Sequence, residues 1–161
     1  MTNAILLALD DSEFSRAATG ELIAHVRPDS TTVHVLHVLE LDHMLTPAFD
    51  FARGSSYGAD VAAHLQASRG HAERLVAEAA AQLLSARFRA ITVVREGEPR
   101  HLILDYAAEI SCDCIVMGSH GRKGFDRFFM GSVSENVMRH AHCSVHIVRR
   151  PTRPRTSIDS R

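Results

Sequence analysis

The stretch C-I-V-M-G-S-H-G-R-K-G-F-D-R-F-F-M-G-S, from Cys114 to Ser132, joins a short apolar run to a helix start through a glycine-rich loop. The apolar run, Cys114 to Met117, has the character of a buried strand. A buried strand that passes through such a loop into a helix is a building unit of α/β proteins with a parallel sheet. The rest of the chain repeats this alternation.

Five short apolar or β-branched runs predict strands: Ala4 to Leu9, Thr32 to Leu39, Ala90 to Arg95, Cys114 to Met117 and Ser144 to Arg149. Helical patterns separate them. The longest, about 59–86, carries an apolar stripe of Val61, Leu65, Ser68, Ala72, Leu75, Ala79 and Leu83. Before the third helix, Gly97 marks a turn and Pro99 lies one or two places inside; Ile103, Tyr106 and Ile110 mark its buried face. We predict an α/β fold, a five-stranded parallel sheet with helices on both faces.

Length and composition agree with one compact domain. The chain has 161 residues, of which 45% are hydrophobic. Residues 149–161 carry five arginines and Asp159, a net +4, which leaves −5 for the rest because the total is −1. An acidic body argues against general nucleic-acid binding, and no stretch is apolar enough to cross a membrane. We expect a domain over 1–150 and a disordered basic tail over 151–161.

The loop after Met117 has the chemistry of a phosphate site. Glycines let backbone N–H groups approach an anion, and the helix that follows adds its unpaired first-turn donors. Three basic side chains, Arg122, Lys123 and Arg127, are placed to neutralise outer phosphates. Lys123 is the only lysine in the chain. The alternative is that this loop is a solvated connection.

The loop does not fit the P-loop or the Rossmann dinucleotide fingerprint. It does fit G-x-x-G, nine residues, then G-S, at Gly118, Gly121, Gly131 and Ser132. This pattern, followed by V-S-E-N-V, resembles the ATP-binding signature of the universal stress protein family. Further matching blocks occur in order, at Ile5 to Ser15, Val33 to Glu40, Glu96 to Pro99 and Asp113 to Gly121, so the resemblance covers roughly residues 4–149. Ser144, where the family usually has proline, departs from the pattern.

The resemblance implies a Rossmann-like, adenine nucleotide alpha hydrolase-like fold that binds ATP together with Mg²⁺. It places Asp10 near the ribose or the metal and Val38 near the adenine. The implied nucleotide-binding residues are Asp10, Val38, Gly118, Gly121, Arg122, Lys123, Arg127, Gly131, Ser132, Val133 and Ser134. It also implies a homodimer through the last strand, Ser144 to Arg149. Three cysteines, too few and odd in number for a disulfide framework, favour a cytoplasmic location.

Two of these residues also have local roles open to them. The alternative role for Asp10 is to cap the first helix, although Asp11 and Ser12 are nearer its start. Ser132 begins S-V-S-E, a capping box with Glu135, so its hydroxyl could serve the helix, a phosphate or both. From the residues alone, Val38 is simply a core-facing strand residue.

Three function classes remain open. The first is a regulatory module that binds ATP, and the second is a slow ATPase or nucleotidyl-transfer enzyme, for which only Asp10 and His120 are candidate bases. The third is a nucleotide-free dimerising stress protein. Residues 41–57 are apolar enough to form a lid or to cover a dimer surface. We expect His34, His37 and His146 to be structural, and no metal at His140, His142 and Cys143.

Overall fold

The computed structural model describes residues 3–40, 56–120 and 130–149. The strands are β1 (Asn3–Leu9), β2 (Thr31–Leu39), β3 (Arg89–Glu96), β4 (Cys114–Gly118) and β5 (Ser144–Val148). The helices are α1 (Glu13–His25), α2 (Ser56–Ser85), α3 (Pro99–Glu109) and α4 (Ser132–His140), with a 3₁₀ turn at Pro28–Ser30. Each predicted strand is present, with ends that differ by at most one residue from the prediction.

The five strands form one parallel sheet in the order β3-β2-β1-β4-β5. From β1 the chain builds outward through β2 to β3, then returns to place β4 on the other side of β1. The strand order therefore switches between β1 and β4, and their carboxyl ends flank the crevice where ligands bind in such sheets. This arrangement confirms the predicted fold class.

Each face of the sheet has its own core, because the helices divide between the two faces. On one face, α1 and α2 pack on the sheet through Ala18, Leu22, Val76, Ala79 and Leu83. On the other face, α3 and α4 contribute Ile103, Tyr106, Ala107 and Val137. β1 lies between the cores and is buried from Ile5 to Leu9. Because β1 is held between both cores, the position of the residues that follow Leu9 at the carboxyl edge of the sheet is fixed.

The helix predictions agree with the structure in their buried faces. In the predicted stripe of α2, Val61, Ala72, Ala79 and Leu83 are buried, and Leu65, Ser68 and Leu75 are half-buried. α2 begins at Ser56, three residues earlier than predicted. Pro99 is the first residue of α3, and Gly97 in the preceding turn has φ 142°, which L side chains rarely adopt. Ile110, expected on the buried face of α3, is its half-buried C-cap.

Candidate functional site

A cleft of about 730 Å³ opens at the carboxyl ends of β1, β2 and β4, where the strand order switches. Its volume lies within the range of small-molecule and cofactor sites. Polar residues on the wall are Asp10, Ser15, His37, Glu40, His120, Ser132 and Ser134. Apolar residues are Val38, Leu39, Pro99, Ile103, Met117 and Val133. A second cavity, between α1 and α2, shares Asp10 and Ser15 but holds only about 130 Å³.

Asp10, which follows β1, is held by two serine side chains. Its Oδ1 accepts hydrogen bonds from Ser12 Oγ and Ser15 Oγ, each at 2.5 Å. Its N–H donates to Ser15 Oγ at 2.8 Å. Ser15 is 4% exposed, so the carboxylate is fixed from inside the protein. Ser15 was not predicted as a site residue, since its spacing from Asp10 matches no motif.

The cap of α1 is Ser12, as the sequence favoured, and not Asp10. Ser12 Oγ accepts from the N–H of Ser15 at 3.2 Å, and Ser12 O accepts from the N–H of Arg16 at 3.3 Å. Asp11 pairs with Arg16 at 3.4 Å and with His71 of α2 at 3.2 Å. Asp10 is therefore relieved of the local role that competed with ligand binding.

Gly118, the last residue of β4, has a packing role that the sequence did not reveal. A Cβ at this position would lie 2.7 Å from Phe14 Cβ and 2.9 Å from the Phe14 backbone carbon. Glycine thus lets α1 approach the end of β4. Gly131 has φ −63°, and among the described glycines only Gly97 has a positive φ. Neither Gly118 nor Gly131 is required for a left-handed conformation.

The start of α4 corrects the predicted capping box. The N-cap is Gly131, which has no side chain to offer, and Ser132 is the exposed first residue of the helix. The N–H of Glu135, which the box would assign to Ser132 Oγ, donates to Gly131 O at 2.9 Å. The Glu135 carboxylate pairs with Arg139 at 2.8 Å. The capping box prediction was wrong because the N-cap is Gly131, one residue before the serine that the motif assigns to that position.

The hydroxyl of Ser134 is used by the protein itself. It donates to Ser119 O at 3.0 Å and to Gly131 O at 2.9 Å, and Ser134 is 2% exposed. The N–H of Gly131 donates to Ser119 O at 2.9 Å, which ties the start of α4 to the residue after β4. The N–H groups of Ser132, Val133 and Ser134 precede the first intrahelical bond and have no intrahelical acceptor. These three residues line the cleft.

Two histidines complete the described wall. The buried His37 has Nδ1 2.8 Å from Leu9 O, as expected for a structural histidine, yet it also lines the cleft. His120 has Nδ1 3.0 Å from Ser119 Oγ, and its ring lies 5.1 Å from that of Phe14. Ser12 Oγ reaches His120 O at 3.4 Å, so the α1 cap also contacts the residues after β4. Sequence reasoning found His120 only as a candidate base and missed His37 as a wall residue.

The predicted site residues thus fall into two groups. The structure brings together Asp10, Val38, Gly118, Gly131, Ser132, Val133 and Ser134 around one cleft. Gly121, Arg122, Lys123, Arg127 and the segment 41–55 lie outside the described residues. The predicted tail, 151–161, lies outside them as well.

Away from the cleft, His34 is also structural, with Nδ1 2.8 Å from the hydroxyl of Tyr106. Burial lowers the pKa of His34 and raises the pKa of Tyr106. Within residues 3–40, 60–120 and 130–149, no three His, Cys, Asp or Glu side chains are grouped to hold a metal ion. Over the same part of the chain, no helix is long and apolar enough to cross a membrane.

Comparison with known proteins assigns the chain and its fold to one family. The sequence model of the universal stress protein family matches residues 1–149. A universal stress protein from Synechocystis is 29% identical over 147 residues, which cover 89% of this chain and 96% of that protein. The structure of UspA from Lactobacillus plantarum is similar with a TM-score of 0.76 at 26% identity, over 91% of this chain and 97% of that one.

A second similar structure contains a nucleotide. A universal stress protein family protein from Arabidopsis thaliana, solved with AMP bound, has a TM-score of 0.64 and covers 96% of this chain and 96% of its own. At 15% identity, this likeness concerns the fold.

Proposed function

Because this chain belongs to the universal stress protein family, we propose that it binds ATP with Mg²⁺ in the cleft and acts as a nucleotide-dependent regulatory module. The observation that carries the proposal is the start of α4, where no side chain of the described residues accepts the first-turn N–H groups. Three consecutive N–H groups there, on Ser132, Val133 and Ser134, line a cleft of nucleotide size. AMP bound to the Arabidopsis relative supports the ligand class.

The phosphates belong at the start of α4. Three N–H groups and the positive end of the helix dipole attract an anion in this geometry. Glu135 in the first turn opposes the anion, but its pairing with Arg139 at 2.8 Å offsets its charge. We assign the loop residues Gly121, Arg122, Lys123 and Arg127 to the outer phosphates, where arginine forks and a lysine point charge neutralise a polyphosphate.

The nucleoside belongs on the side of β1 and β2. Asp10 offers a carboxylate that accepts hydrogen bonds from ribose hydroxyls or binds the Mg²⁺ that accompanies the phosphates. Its two serine bonds hold it in one position without a loss of side-chain entropy on binding. Val38, Leu39, Pro99 and Ile103 supply an apolar wall for the adenine.

The proposal is tested by replacing the N-cap of α4. Gly131→Asp places a carboxylate where it accepts the first-turn N–H groups and repels a phosphate. A Cβ at Gly131 makes only ordinary contacts of 3.4 Å or more, so the variant should fold. We expect Mg-ATP affinity by calorimetry to fall tenfold or more, which is about 1.4 kcal/mol. Stability should stay the same or rise slightly, because Asp is a good N-cap.

Gly131→Asn is the matched control, since it competes for the same donors without charge. Its affinity should lie between those of the wild type and Gly131→Asp. Denaturing protein purified without added nucleotide, followed by mass spectrometry of the supernatant, shows whether ATP or ADP is carried along. If the wild type neither releases a nucleotide nor binds Mg-ATP, the proposal fails. If Gly131→Asp binds like the wild type, the phosphates are not at α4.

The partner surface of the module is proposed to be β5, through which two copies would pair as a homodimer in the cytoplasm. β5 is an edge strand of five residues, and its Val145 and Ile147 are only half-buried. An apolar edge with unpaired backbone groups favours pairing with another chain. Light scattering at micromolar concentration should give twice the monomer mass; a monomer would contradict the dimer but leave the nucleotide proposal intact.

A further inference from the structure

The amino ends of β4 and β5, opposite the cleft, carry all three cysteines of the chain. Cys112 and Cys143 each precede a strand, and Cys114 begins β4. All three are free thiols. They are absent from the cleft wall, and the proposed function uses none of them.

Cys112 and Cys143 share one side of the sheet. Both pack in the core formed with α3 and α4, whereas Cys114 packs in the core on the opposite face. Cys112 is buried and Cys143 is half-buried. The sheet thus separates one thiol from the other two.

The strand register brings Cys112 and Cys143 close together at the amino ends of β4 and β5. Cys114 lies opposite Ser144 in the β4–β5 pair, so Asp113 is level with Cys143 and Cys112 lies one residue further back. Neighbouring strands lie about 4.8 Å apart, and the chain bends at Asp113, just before β4, so that Cys112 packs in the same core as Cys143. Disulfides typically join Cα atoms about 5.5–6 Å apart.

The thiols also influence each other directly. Burial raises the pKa of Cys112 to about 12, and Cys143 adds to the shift through its charge and a side-chain hydrogen bond. Cys112 Sγ is oriented by Cys114 O, to which it donates at 3.1 Å. Since the Cys112 thiolate is disfavoured, the more accessible Cys143 is the thiol that an oxidant meets first.

We propose that Cys112 and Cys143 are a modification site that forms an intramolecular disulfide when the protein meets a hydroperoxide. The Cys143 thiol is oxidised by ROOH to a sulfenic acid, and ROH leaves. The Cys112 sulfur then attacks the Cys143 sulfur; the S–S bond forms, the S–OH bond breaks, and the Cys112 proton leaves with the hydroxyl as water. The peroxide is the two-electron oxidant, and an external thiol reverses the reaction.

The disulfide would lie at the end of the sheet opposite the cleft, but it would close a loop that includes residues of the cleft wall. The closed loop, from Cys112 to Cys143, is on the order of 30 residues and contains β4, the glycine-rich loop and the start of α4. Tying its two ends reduces the freedom of the unfolded chain. A rise in melting temperature of about 5–15 °C is expected for a loop and domain of this size.

The test uses the full chain, reduced and freed of reductant, then treated with hydrogen peroxide or with diamide. Intact mass should fall by two hydrogens, thiol labelling should fall from three to one, and non-reducing peptide mapping should join Cys112 to Cys143. Dithiothreitol should reverse all three changes. Cys114→Ser is the matched control and should oxidise like the wild type, because its thiol faces the other core.

Cys143→Ser should keep both of its thiols free and form no disulfide between chains after the same treatment, and its melting temperature should not change on oxidation. This variant is at a half-buried position, so it keeps the test open if Cys112→Ser does not fold. A Cys114–Cys143 bridge, a disulfide between two chains, sulfinic acid at Cys143, or three thiols surviving both oxidants would each overturn the proposal.

Discussion

Two helices begin at the same edge of the sheet, and their starts are built in opposite ways. α1 is closed by its own side chains: Ser12 caps it, and Asp10 is bound by Ser12 and Ser15. The N-cap of α4 is Gly131, and no side chain of the described residues accepts the N–H groups of the first turn of this helix. The difference shows why the phosphates are proposed to lie at α4 and not at α1, since only the start of α4 keeps its first-turn donors open to an anion. The α1 side presents the Asp10 carboxylate and the α4 side presents open donors, and the proposed metal-bound nucleotide depends on both.

The largest expected loss of stability comes from a substitution that forces α1 away from the end of β4. Gly118→Ala inserts a Cβ 2.7 Å from Phe14 Cβ and 2.9 Å from the Phe14 backbone, so α1 must move away from β4. We expect a loss of about 3 kcal/mol in the free energy of unfolding, measured by urea denaturation. Gly20→Ala in α1, where a new Cβ meets nothing within 4 Å, is the control and should gain about 0.5–1 kcal/mol. If both variants have wild-type stability, the close contact between α1 and β4 is not real.

The next change removes the anchor of Asp10. Ser15→Ala deletes the hydroxyl that donates to the carboxylate and accepts from the Asp10 N–H. A cost of about 2 kcal/mol is expected, because one of these bonds involves a charged group and the site is buried. In an Asp10→Asn background the same change should cost less, since the charge-assisted part is already gone. Equal costs in both backgrounds, from unfolding curves, would show that Ser15 does not act on the charge.

A direct comparison of the two helix starts uses one substitution at each. Ser12→Ala removes a cap that accepts the Ser15 N–H and should cost about 1 kcal/mol. Ser132→Ala alters an exposed side chain that caps nothing in the described structure, and should change stability by less than about 0.5 kcal/mol. A cost at Ser132 as large as that at Ser12 would restore the capping box. Loss of Mg-ATP affinity at Ser132 without loss of stability would instead indicate that its hydroxyl contacts the phosphate.

A structural feature could be predicted from the sequence where the residues that produce it are neighbours in the chain. The strands and the stripe of α2 were predicted because burial imposes a periodic pattern on neighbouring residues. The cap at Ser12 was favoured because capping depends on the type of residue directly before the helix. The reason for glycine at Gly118 lies in Phe14, and the role of Ser134 lies partly in Ser119; both partners are distant in the chain and leave no pattern in it. The capping box failed because S-V-S-E fits the motif locally, while Gly131, anchored to Ser119 O, starts the helix first.

The smallest expected effect is a dependence of folding stability on pH that comes from His34. It decides the pH at which the two helix starts should be compared. Burial lowers the pKa of His34 below the 6.5 that an unperturbed histidine has. As pH falls below 6.5, the unfolded chain takes up a proton at His34 before the folded protein does, so His34 destabilises the fold progressively down to its lowered folded pKa. Above pH 6.5 His34 is neutral in both states and this destabilisation is absent. The comparison of Ser12→Ala with Ser132→Ala should therefore be made above pH 6.5. His34→Asn should flatten the fall in stability between pH 7.5 and 5, measured by urea midpoints, with His140→Asn on the exposed end of α4 as the control. If His34→Asn and the wild type lose stability in parallel, the acid sensitivity arises at another group.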